Sequence, residues 1–512
     1  MIQNPHKRIA INSIIIYFRL AVVTIVSLFT TRYVLSALGA SDFGLYNVVG
    51  SVVMMISVLS TSMAETTTRY INIEMGKSDG NLNKIFNISL LIHIILAVVF
   101  FIIIEVVGVF YVNNYLNIPI SKISDALFVL HISNLVACIG LINVPYQGLL
   151  NAFEKFGVVA LVDIINVFVK LIAVLILLDF KGDALRFYAL SMSILTLLSF
   201  VSYRLICKRL YPSIIRKRVY KDFSLIKEIF YFNNYKTLGS VASIFSHQGA
   251  NIAVNFFFGT IVNAAFAISR QIQGFVSLFI SNLGTAAAPR ITQMYAKGYV
   301  FEAVSLCSKI GRYSFLLAIV VFFSLYIHTD YVISIWLKDV PEHTSLYVRW
   351  TLGMILCYAG TTSLPSLILA CGNLKWFTYT NSLLQMLILP GMFMCFALGC
   401  NAEYAIILQC AYYILSLIPT LLILRKVVHL NIYDYVKKTF IPPIIVTILL
   451  SLFLCLYFFT NLEIIFHPIF SILLIAFIGI LLSFFVGLSK NERQKVYSVS
   501  EYLFYNKLYI RK

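Results

Sequence analysis

The sequence predicts an all-α integral membrane protein with about 14 transmembrane helices, and three observations predict that class. Hydrophobic residues make up 60% of the 512 positions and charged residues 12%, about half the charged fraction of an ordinary soluble domain. The apolar residues are gathered in runs of about 20, the length that crosses a bilayer as a helix. Landmarks in the first part of the chain also recur about 220 residues later.

The apolar runs define the predicted helices in order. The first follows the basic start MIQNPHKR and has no small-residue cleavage site, so we expect it to span the membrane and not to be removed as a signal. The approximate limits of the fourteen spans are 11–35, 43–67, 85–111, 124–147, 158–179, 184–206, 231–257, 263–285, 307–328, 346–370, 377–399, 403–424, 440–460 and 467–488.

The basic residues orient these spans, because cytoplasmic loops collect Lys and Arg. With the N-terminus inside, 29 of the 39 basic residues fall on inside segments, five on outside loops and five within the spans. Eight of the inside bases lie in the loop 204–228. Both termini are therefore predicted to be cytoplasmic, and the net charge of +18 needs no nucleic acid partner.

The repeat indicates an internal duplication. NVPYQGLLNAFEKF begins at position 143 and SLPSLILACGNLKWF at 363, so that Pro145 and Pro365 lie 220 residues apart, as do Gly39 and Gly259. We expect the two prolines to kink the fourth and tenth spans near their inner ends. Six spans is an even number, so both copies enter from the same side as parallel repeats.

The predicted domains follow from this duplication. Two six-helix lobes surround a central cavity, and two further helices stand outside the repeat. The limits are 1–206 for the N-terminal lobe, 207–230 for a basic cytoplasmic linker, 231–426 for the C-terminal lobe, and 427–512 for the last two spans and the tail. Two parallel bundles around an axis are typical of a carrier that alternates between two open states.

Three cations within the spans are the candidate substrate-binding residues. Arg19 and Lys236 lie at similar depth in the first and seventh spans, and Arg270 lies in the eighth. A charge at this depth is costly unless it faces a cavity or a partner. One reading pairs these bases with membrane carboxylates. The other is a cationic cavity for an anion, with phosphate as the obvious guest because Arg holds it bidentately and Lys as a point charge.

Three further charges are candidates for ion coupling or for internal pairing. Asp163 and Lys170 lie seven residues apart, two turns along one helix face, which favours an internal pair. Glu65, at the inner end of the second span, could carry a coupling proton or pair with Arg69. Arg32 lies near the outer end of its span and can reach the interface.

Several classes of function are excluded. His93, His131 and His247 have no metal-ligand spacing and are expected to be hydrogen-bonded interior residues, and no metal or cofactor is predicted. The nine cysteines form no C-x-x-C pair and are expected to be small core residues, not a disulfide framework. Phosphate-binding loops, nucleophile elbows and a soluble ATPase segment are missing from the sequence, so we expect neither an enzyme nor a primary pump.

The motifs LGASDFGLYNVV after the first span, NAFEKF after the proline-containing fourth and IWLKDVP after the ninth carry a family resemblance. With the spans and the duplication, the whole chain resembles the polysaccharide transporter family of the multidrug/oligosaccharidyl-lipid/polysaccharide exporter superfamily. Bacterial members of that family include the O-antigen flippases of the Wzx type.

The resemblance implies two six-helix lobes in a V, with a cavity between the first, second, seventh and eighth spans. It implies a flippase that moves a polyprenyl-pyrophosphate-linked oligosaccharide across the bacterial inner membrane, from the cytoplasmic to the periplasmic leaflet, for O-antigen, lipopolysaccharide or another surface polysaccharide. The implied partners are membrane lipid, a polysaccharide polymerase and other assembly proteins. Substrate-handling roles carry over to Arg19, Lys236 and Arg270 by their place in the matching spans.

Two alternatives within the superfamily stay open from the sequence. A multidrug or small-cation antiporter would favour a carboxylate deep in the first span, where this chain has Arg19. A flippase for the peptidoglycan lipid precursor would share the cationic cavity and the number of spans. A membrane glycosyltransferase would need a large outer loop with catalytic acids, and the outer loops here are too short.

Overall fold

The computed structural model is predominantly helical in the residues that it describes, which are 5–54, 57–75, 79–218, 220, 222–372, 374–460, 467–494 and 497. No strand occurs among them. The helices are α1 (Pro5–Met54), α2 (Ser57–Met75), α3 (Leu82–Asn114), α4 (Ile123–Ala152), α5 (Phe156–Leu178), α6 (Ala184–Leu210), α7 (Pro212–Ile215), α8 (Phe223–Ala296), α9 (Val300–Tyr326), α10 (Thr329–Trp336), α11 (Thr344–Ala359), α12 (Leu364–Cys371), α13 (Leu374–Met386), α14 (Ile388–Ala397), α15 (Tyr404–Val428), α16 (Ile432–Thr439), α17 (Ile441–Phe459) and α18 (Pro468–Leu482). Ile120–Lys122 forms a 3-10 turn before α4, and Ser483–Gly487 forms a π-helical turn after α18.

Twelve helical segments in the described ranges are long and apolar enough to cross a membrane. Two of them, Phe18–Met54 and Val241–Gly284, bend at a glycine and each takes in parts of two predicted spans. The membrane-spanning helices carry exposed aliphatic side chains suited to contact with lipid, such as Ile102 and Val106 on α3. The all-helical, multi-pass membrane fold is therefore confirmed, whereas the count of fourteen and the side of the termini stay predictions.

The two bends reproduce the predicted offset of 220 residues. Gly39 in α1 has φ 71° and ψ 170°, and Gly259 in α8 has φ 79° and ψ −174°. Positive φ with extended ψ is accessible to glycine and strained for any residue with a Cβ. Each glycine thus turns a long helix at the same point of its repeat, which is the structural counterpart of the repeated sequence landmarks.

The two repeat prolines behave differently from each other. Pro145 lies inside α4, and the helix continues through it to Ala152. Pro365 instead stands in the first turn of α12, after α11 has ended at Ala359, where its missing N–H would have had no helical partner. The sequence predicts the same kink at both prolines. Instead, the helix continues through Pro145, whereas a new helix begins at Leu364, just before Pro365.

The chain divides into two compact units, which do not follow the predicted domain limits. Unit 1 contains residues 1–268, 334–344 and 381–405, and unit 2 contains residues 269–333, 345–380 and 406–512. Unit 1 thus includes the predicted N-terminal lobe, the linker and parts of the second repeat. The predicted domain limits are based on the repeat in the sequence, and this division into domains stays a prediction.

Several contacts within unit 1 join the first repeat to segments of the second. The hydroxyl oxygens of Ser41 and Thr260 lie 3.3 Å apart, and the backbone N–H of Asn117 donates to the side-chain oxygen of Asn255 over 3.2 Å. The indole N–H of Trp336 donates to the carbonyl of Leu28 over 2.9 Å. In the predicted topology these contacts lie towards the outer ends of the spans.

Each unit has its own apolar core. In unit 1 the core includes Phe86, Tyr146 and Tyr203, and the rings of Phe86 and Tyr146 meet edge to face with centroids 5.3 Å apart. In unit 2 the last two helices pack on α9, where Val446 and Leu450 meet side chains of α9. The two helices predicted to stand outside the repeat therefore pack against α9, a helix of the second repeat.

The basic linker is bound to the N-terminal end of α3. The side-chain amide of Asn83 donates to the carbonyls of Ser213, Ile214 and Arg216, at 3.1, 2.7 and 2.7 Å. Asn87 donates to the carbonyl of Arg216 over 3.0 Å. These bonds satisfy the carbonyls that the short helix α7 leaves open at its end, so this part of the linker is bound to α3 within unit 1.

Asp222 lies within the predicted linker, immediately before α8 begins at Phe223. Its carboxylate accepts the backbone N–H of Leu225 over 3.0 Å, the geometry of a helix N-cap. The ammonium of Lys84 on α3 lies 2.7 Å from the other carboxylate oxygen. The hydrogen bonds from Lys84, Leu225 and Ser224 hold the pKa of Asp222 well below its usual range.

Candidate functional site

A cavity of about 510 Å³ in unit 1 is lined by three of the polar side chains singled out from the sequence, Arg19, Asp163 and Lys170. Its walls come from α1, α4, α5 and α6. The polar lining residues are Arg19, Tyr46, Asp163, Asn166, Lys170, Thr196 and Ser199, and the apolar ones are Leu20, Val23, Val136, Val167, Met192 and Leu195.

An ion pair between α1 and α5 forms one wall of this cavity. The guanidinium of Arg19 lies 3.0 Å from the carboxylate of Asp163, and both side chains remain about one third exposed, at 33% and 35%. The hydroxyl of Tyr203 on α6 donates to the second carboxylate oxygen over 3.2 Å. Asp163 therefore links three helices, and its partner is Arg19, where the sequence favoured Lys170.

Lys170 lies on the same wall, two turns further along α5. Asp163, Asn166 and Lys170 all line the cavity, as their spacing along one helix face predicts. No carboxylate in the described part of the chain forms an ion pair with Lys170. Among the described lining residues there are therefore two cationic side chains and one carboxylate, a net formal charge of one positive unit.

The amphipathic pattern of α5 explains why this wall faces inward. The opposite face of the helix carries exposed apolar side chains at Leu161, Ile165, Phe168 and Ile172. In a membrane the apolar face meets lipid, and the charged face must turn to a cavity or to other helices. The arrangement is thus set by the sequence of α5, while the choice of Arg19 as the partner depends on the packing of α1.

Two tyrosines of the site were not singled out from the sequence. Tyr46 lines the cavity and packs edge to face on Tyr188, with ring centroids 4.8 Å apart. Tyr203 is almost fully buried while its hydroxyl reaches Asp163. Tyrosines are frequent in this chain, and no local signal marks these two.

Arg270 lies outside this cavity, in unit 2. Its guanidinium donates to the side-chain oxygens of Gln273, over 2.7 Å, and of Gln409. The hydroxyls of Ser277 and Tyr358 are hydrogen-bonded nearby, and the rings of Tyr358 and Tyr413 lie 4.8 Å apart. Two amides therefore fix the orientation of the guanidinium. Gln409 could have been suspected from the sequence as an amide in an apolar span.

Two predicted site residues lie outside the described side chains. Lys236 and Glu65 fall within helices, but their side chains are not among those that the structure describes. Their roles in substrate binding and in coupling stay predictions. Arg32, which was expected at the interface, donates to the carbonyl of Ile335 over 3.1 Å.

A second polar pair lies between α3 and α4 in unit 1. The imidazole Nδ1 of His131 is 2.7 Å from a carboxylate oxygen of Glu105, and the amide of Asn134 donates to the other oxygen over 3.1 Å. The side chain of His131 is half exposed, so it is not the interior residue expected from the sequence. His93, by contrast, is buried and contacts the carbonyl of Ser89 at 2.7 Å, as expected.

The geometry of the unit 1 cavity suits reversible binding of an anion. Arg19 can present part of its donor fork while it holds Asp163, and Lys170 adds a point charge on the same side. The hydroxyls and the amide in the lining add neutral hydrogen-bond partners. The sequence profile of the family described as polysaccharide biosynthesis protein matches residues 10–295, which include this entire site.

The chain belongs to the polysaccharide biosynthesis protein family. The match covers more than half of the chain, and it includes the first repeat, the linker and the start of the second repeat. The resemblance inferred from the sequence motifs is thus confirmed. For this member of the family, no match was found among curated proteins.

Solved structures similar to this family member are transporters of the MOP superfamily. A multidrug resistance transporter of the MATE family in an inward-facing conformation has a TM-score of 0.69 at 13% identity, over 80% of this chain and 97% of that one. A MOP superfamily transporter from Pyrococcus furiosus, described as having a binding pocket of reverse polarity and a different function, has a TM-score of 0.59 at 15% identity, over 83% and 96%. At these identities the likeness shows a shared transporter fold.

Proposed function

We propose that the protein is a flippase for a polyprenyl-pyrophosphate-linked oligosaccharide, the repeat unit of O-antigen or of another surface polysaccharide. It takes this lipid from the cytoplasmic leaflet of the bacterial inner membrane and delivers it to the periplasmic leaflet by alternating access. A polysaccharide polymerase and other assembly proteins then use the delivered unit. The family and the transporter fold supply the class, and the charge of the cavity supports the substrate.

The observation that carries the proposal is the excess of positive charge in the unit 1 cavity. Arg19 and Lys170 face it against one carboxylate, Asp163. A pyrophosphate brings the negative charge that this lining lacks, and a charge-assisted hydrogen bond to it contributes about 1.5–3 kcal/mol. Arg270, held by two glutamines in unit 2, is the second candidate contact.

The glycan and the prenyl tail of the proposed substrate also have matching surfaces in unit 1. The amide and hydroxyl groups of Asn166, Thr196 and Ser199 can hydrogen-bond a glycan. The lipid-facing side chains of α5, such as Ile165 and Phe168, leave the prenyl tail in the bilayer. No bond of the substrate has to break during transfer, so binding groups are sufficient for the task.

A multidrug or small-cation antiporter is the alternative, because a MATE family multidrug transporter shares the fold. A cationic drug would favour a cavity of net negative charge, and here Arg19 offsets the one carboxylate while Lys170 adds a further positive charge. The peptidoglycan lipid precursor also carries a pyrophosphate, so a flippase for it is a second alternative that the charge of the cavity does not separate from our proposal.

Deletion of the gene tests the proposal directly. We expect a lipid-linked oligosaccharide to accumulate on the cytoplasmic side and surface polysaccharide to be lost, and both to be restored by the intact gene. Accumulation of cationic dyes without any lipid-linked glycan would show a drug exporter. Accumulation of the peptidoglycan lipid precursor would show that the protein is a flippase for that precursor.

Substitution of Lys170, in the cavity, and of Arg270, in unit 2, tests the charge argument separately. Lys170→Ala and Arg270→Ala are each expected to lower surface polysaccharide about tenfold or more, since one charge-assisted contact is lost. Arg32→Ala is the matched control, because its guanidinium contacts a backbone carbonyl away from the cavity. With equal amounts of protein in the membrane, unchanged polysaccharide in both Lys170→Ala and Arg270→Ala would contradict the proposed role of these two cations.

A further inference from the structure

The C-terminal end of α14 is closed by a complete glycine turn. The backbone N–H of Cys400 donates to the carbonyl of Cys395 over 3.0 Å, and the N–H of Gly399 donates to the carbonyl of Phe396 over 3.0 Å. Gly399 has φ +89°, the left-handed conformation that this turn requires. These are the two hydrogen bonds of a Schellman motif, with Cys395 and Cys400 at its first and last positions.

The motif brings the two cysteine side chains together. In a Schellman turn the side chains at these two positions contact each other, usually as an apolar pair. Here the two side chains are thiols, and the turn places them at the two positions that approach each other. Neither residue is fully buried. The spacing of five residues matches no cysteine motif in the sequence, so only the fold of the helix end reveals the pair.

The predicted orientation places this turn outside the cytoplasm. Lys375 before α14 and the pair Arg425 and Lys426 at the end of α15 lie on the basic, cytoplasmic side. The loop 398–403 between these two helices is then on the outer face, where thiols are oxidised and disulfides persist.

We propose that Cys395 and Cys400 form a disulfide bond in the mature protein. Two thiols lose two protons and two electrons as the S–S bond forms. The oxidant is an exchangeable disulfide of a thiol–disulfide oxidoreductase outside the cytoplasm, whose S–S bond breaks and leaves as two thiols. The proposal depends on the predicted orientation and is independent of the transported substrate.

The bond would stiffen a helix that packs within unit 1 on the second repeat's first helix. Phe396 on α14 meets Phe257 and Phe258 edge to face, with centroids 5.4 and 5.0 Å apart. Phe393, one turn earlier, also contacts Phe257 at 5.6 Å. A covalent link between the first and last residues of the turn holds the end of the helix that carries this aromatic cluster.

Thiol trapping in intact cells tests the bond on the full-length protein. Cells are quenched with acid, unfolded and treated with N-ethylmaleimide, and the protein is then reduced and treated with a second maleimide of different mass. We expect Cys395 and Cys400 to carry only the second label, and the unreduced peptide to be lighter by the mass of two hydrogen atoms. In Cys400→Ser, Cys395 should carry the first label.

The pair Cys357 and Cys410 is the internal control. These two thiols also lie close to each other, but both cysteines are within spans of unit 2. We expect both to carry the first label in the same sample. The first label on Cys395 and Cys400 would overturn the proposal. Equal oxidation of the two pairs would also overturn it, because oxidation would then not depend on the side of the membrane.

Hydrogen exchange gives a second measurement. The amides of Gly399 and Cys400 are bonded within the turn. On the order of tenfold slower exchange is expected in the oxidised protein than after reduction, because the cross-link limits opening of the turn. Cys395→Ser should exchange at the reduced rate with and without reductant. Equal exchange in the oxidised and reduced wild type would contradict a cross-linked turn.

Discussion

Gly44 lies against the backbone carbonyl of Thr260, so that a Cβ at residue 44 would stand only 1.9 Å from the carbonyl oxygen. The hydroxyls of Ser41 and Thr260 lie 3.3 Å apart beside this contact. Two backbones approach each other this closely only where a side chain is missing. The contact joins the segments that follow the bends at Gly39 and Gly259.

We predict that Gly44→Ala destabilises unit 1, because the added methyl group has to displace the backbone of Thr260. The expected loss is about 1–3 kcal/mol, the usual range for overpacking. Thermal unfolding of the purified protein in detergent measures it. Gly50→Ala is the matched control, since a Cβ there meets nothing within 4 Å. Equal stability of the two variants would show that the contact between Gly44 and Thr260 is not maintained.

We predict that the pair of Arg19 and Asp163 contributes to stability through mutual neutralisation. Arg19→Ala leaves the carboxylate in the membrane with one hydroxyl donor, Tyr203, and is expected to cost about 1–3 kcal/mol. Asp163→Asn in the same chain should recover part of that loss. The double-mutant cycle, measured by thermal unfolding, should give a coupling of about 1 kcal/mol or more.

Tyr203→Phe provides the comparison for this cycle. It removes the neutral donor to Asp163 and keeps the ring in the core, so we expect a loss of only about 1 kcal/mol. A coupling near zero between Arg19 and Asp163 would mean that the ion pair is not formed in the protein.

We predict that Gln409 positions Arg270. Gln409→Leu removes one of the two amide acceptors of the guanidinium and keeps a similar volume. Surface polysaccharide should fall about tenfold, and Gln409→Glu should retain more activity than Gln409→Leu because the acceptor is restored. Equal activity of the two variants, at equal amounts of protein, would exclude a role of Gln409 in placing Arg270.

We predict that the cap at Asp222 weakens in acid. The pKa of its carboxyl is lowered in the folded protein, so its contribution to stability is fully present above the ordinary pKa of aspartate, near about pH 4, and is lost as the pH falls through the lower folded value. Asp222→Asn keeps an N-cap but loses the charge attraction to Lys84. The wild type should exceed this variant in stability at neutral pH, and the difference should shrink below about pH 4.

Unfolding of the two proteins over a series of pH values measures this difference. Asp222→Ala is expected to be less stable than Asp222→Asn at every pH, because it removes the cap as well. A difference between wild type and Asp222→Asn that does not change with pH would show that the charge of Asp222 has no part in the effect.

Much of the fold could be predicted because its signals are local or repeated. The apolar runs, the glycines at positions 39 and 259 and the shared face of Asp163 and Lys170 depend on spacing along the chain. Their structural counterparts are the membrane helices, the two matched bends and the polar wall of α5. Spacing could not decide whether Lys170 or Arg19 pairs with Asp163, because Arg19 is 144 residues away and its approach depends on how α1 packs on α5.

Two other features depend on backbone conformation that residue identity alone does not fix. Pro145 and Pro365 occupy matching positions, yet one continues a helix and the other begins one, because α11 has already ended at Ala359. Cys395 and Cys400 meet only because Gly399 adopts a positive φ at the end of α14. A cysteine pair of this kind can be identified only from the backbone conformation at the end of the helix, and not from the number of residues between the cysteines.

The docked linker has a consequence for biosynthesis. Every side chain of α3 that holds it, namely Asn83, Lys84 and Asn87, precedes it in the chain. A nascent polypeptide that has emerged from the ribosome as far as Asp222 therefore already contains both halves of this interface. The first six spans and the linker can therefore pack together before the second repeat enters the bilayer. If the gene were divided just before the codon for Phe223, the first fragment would still contain all of these contacts between α3 and the linker.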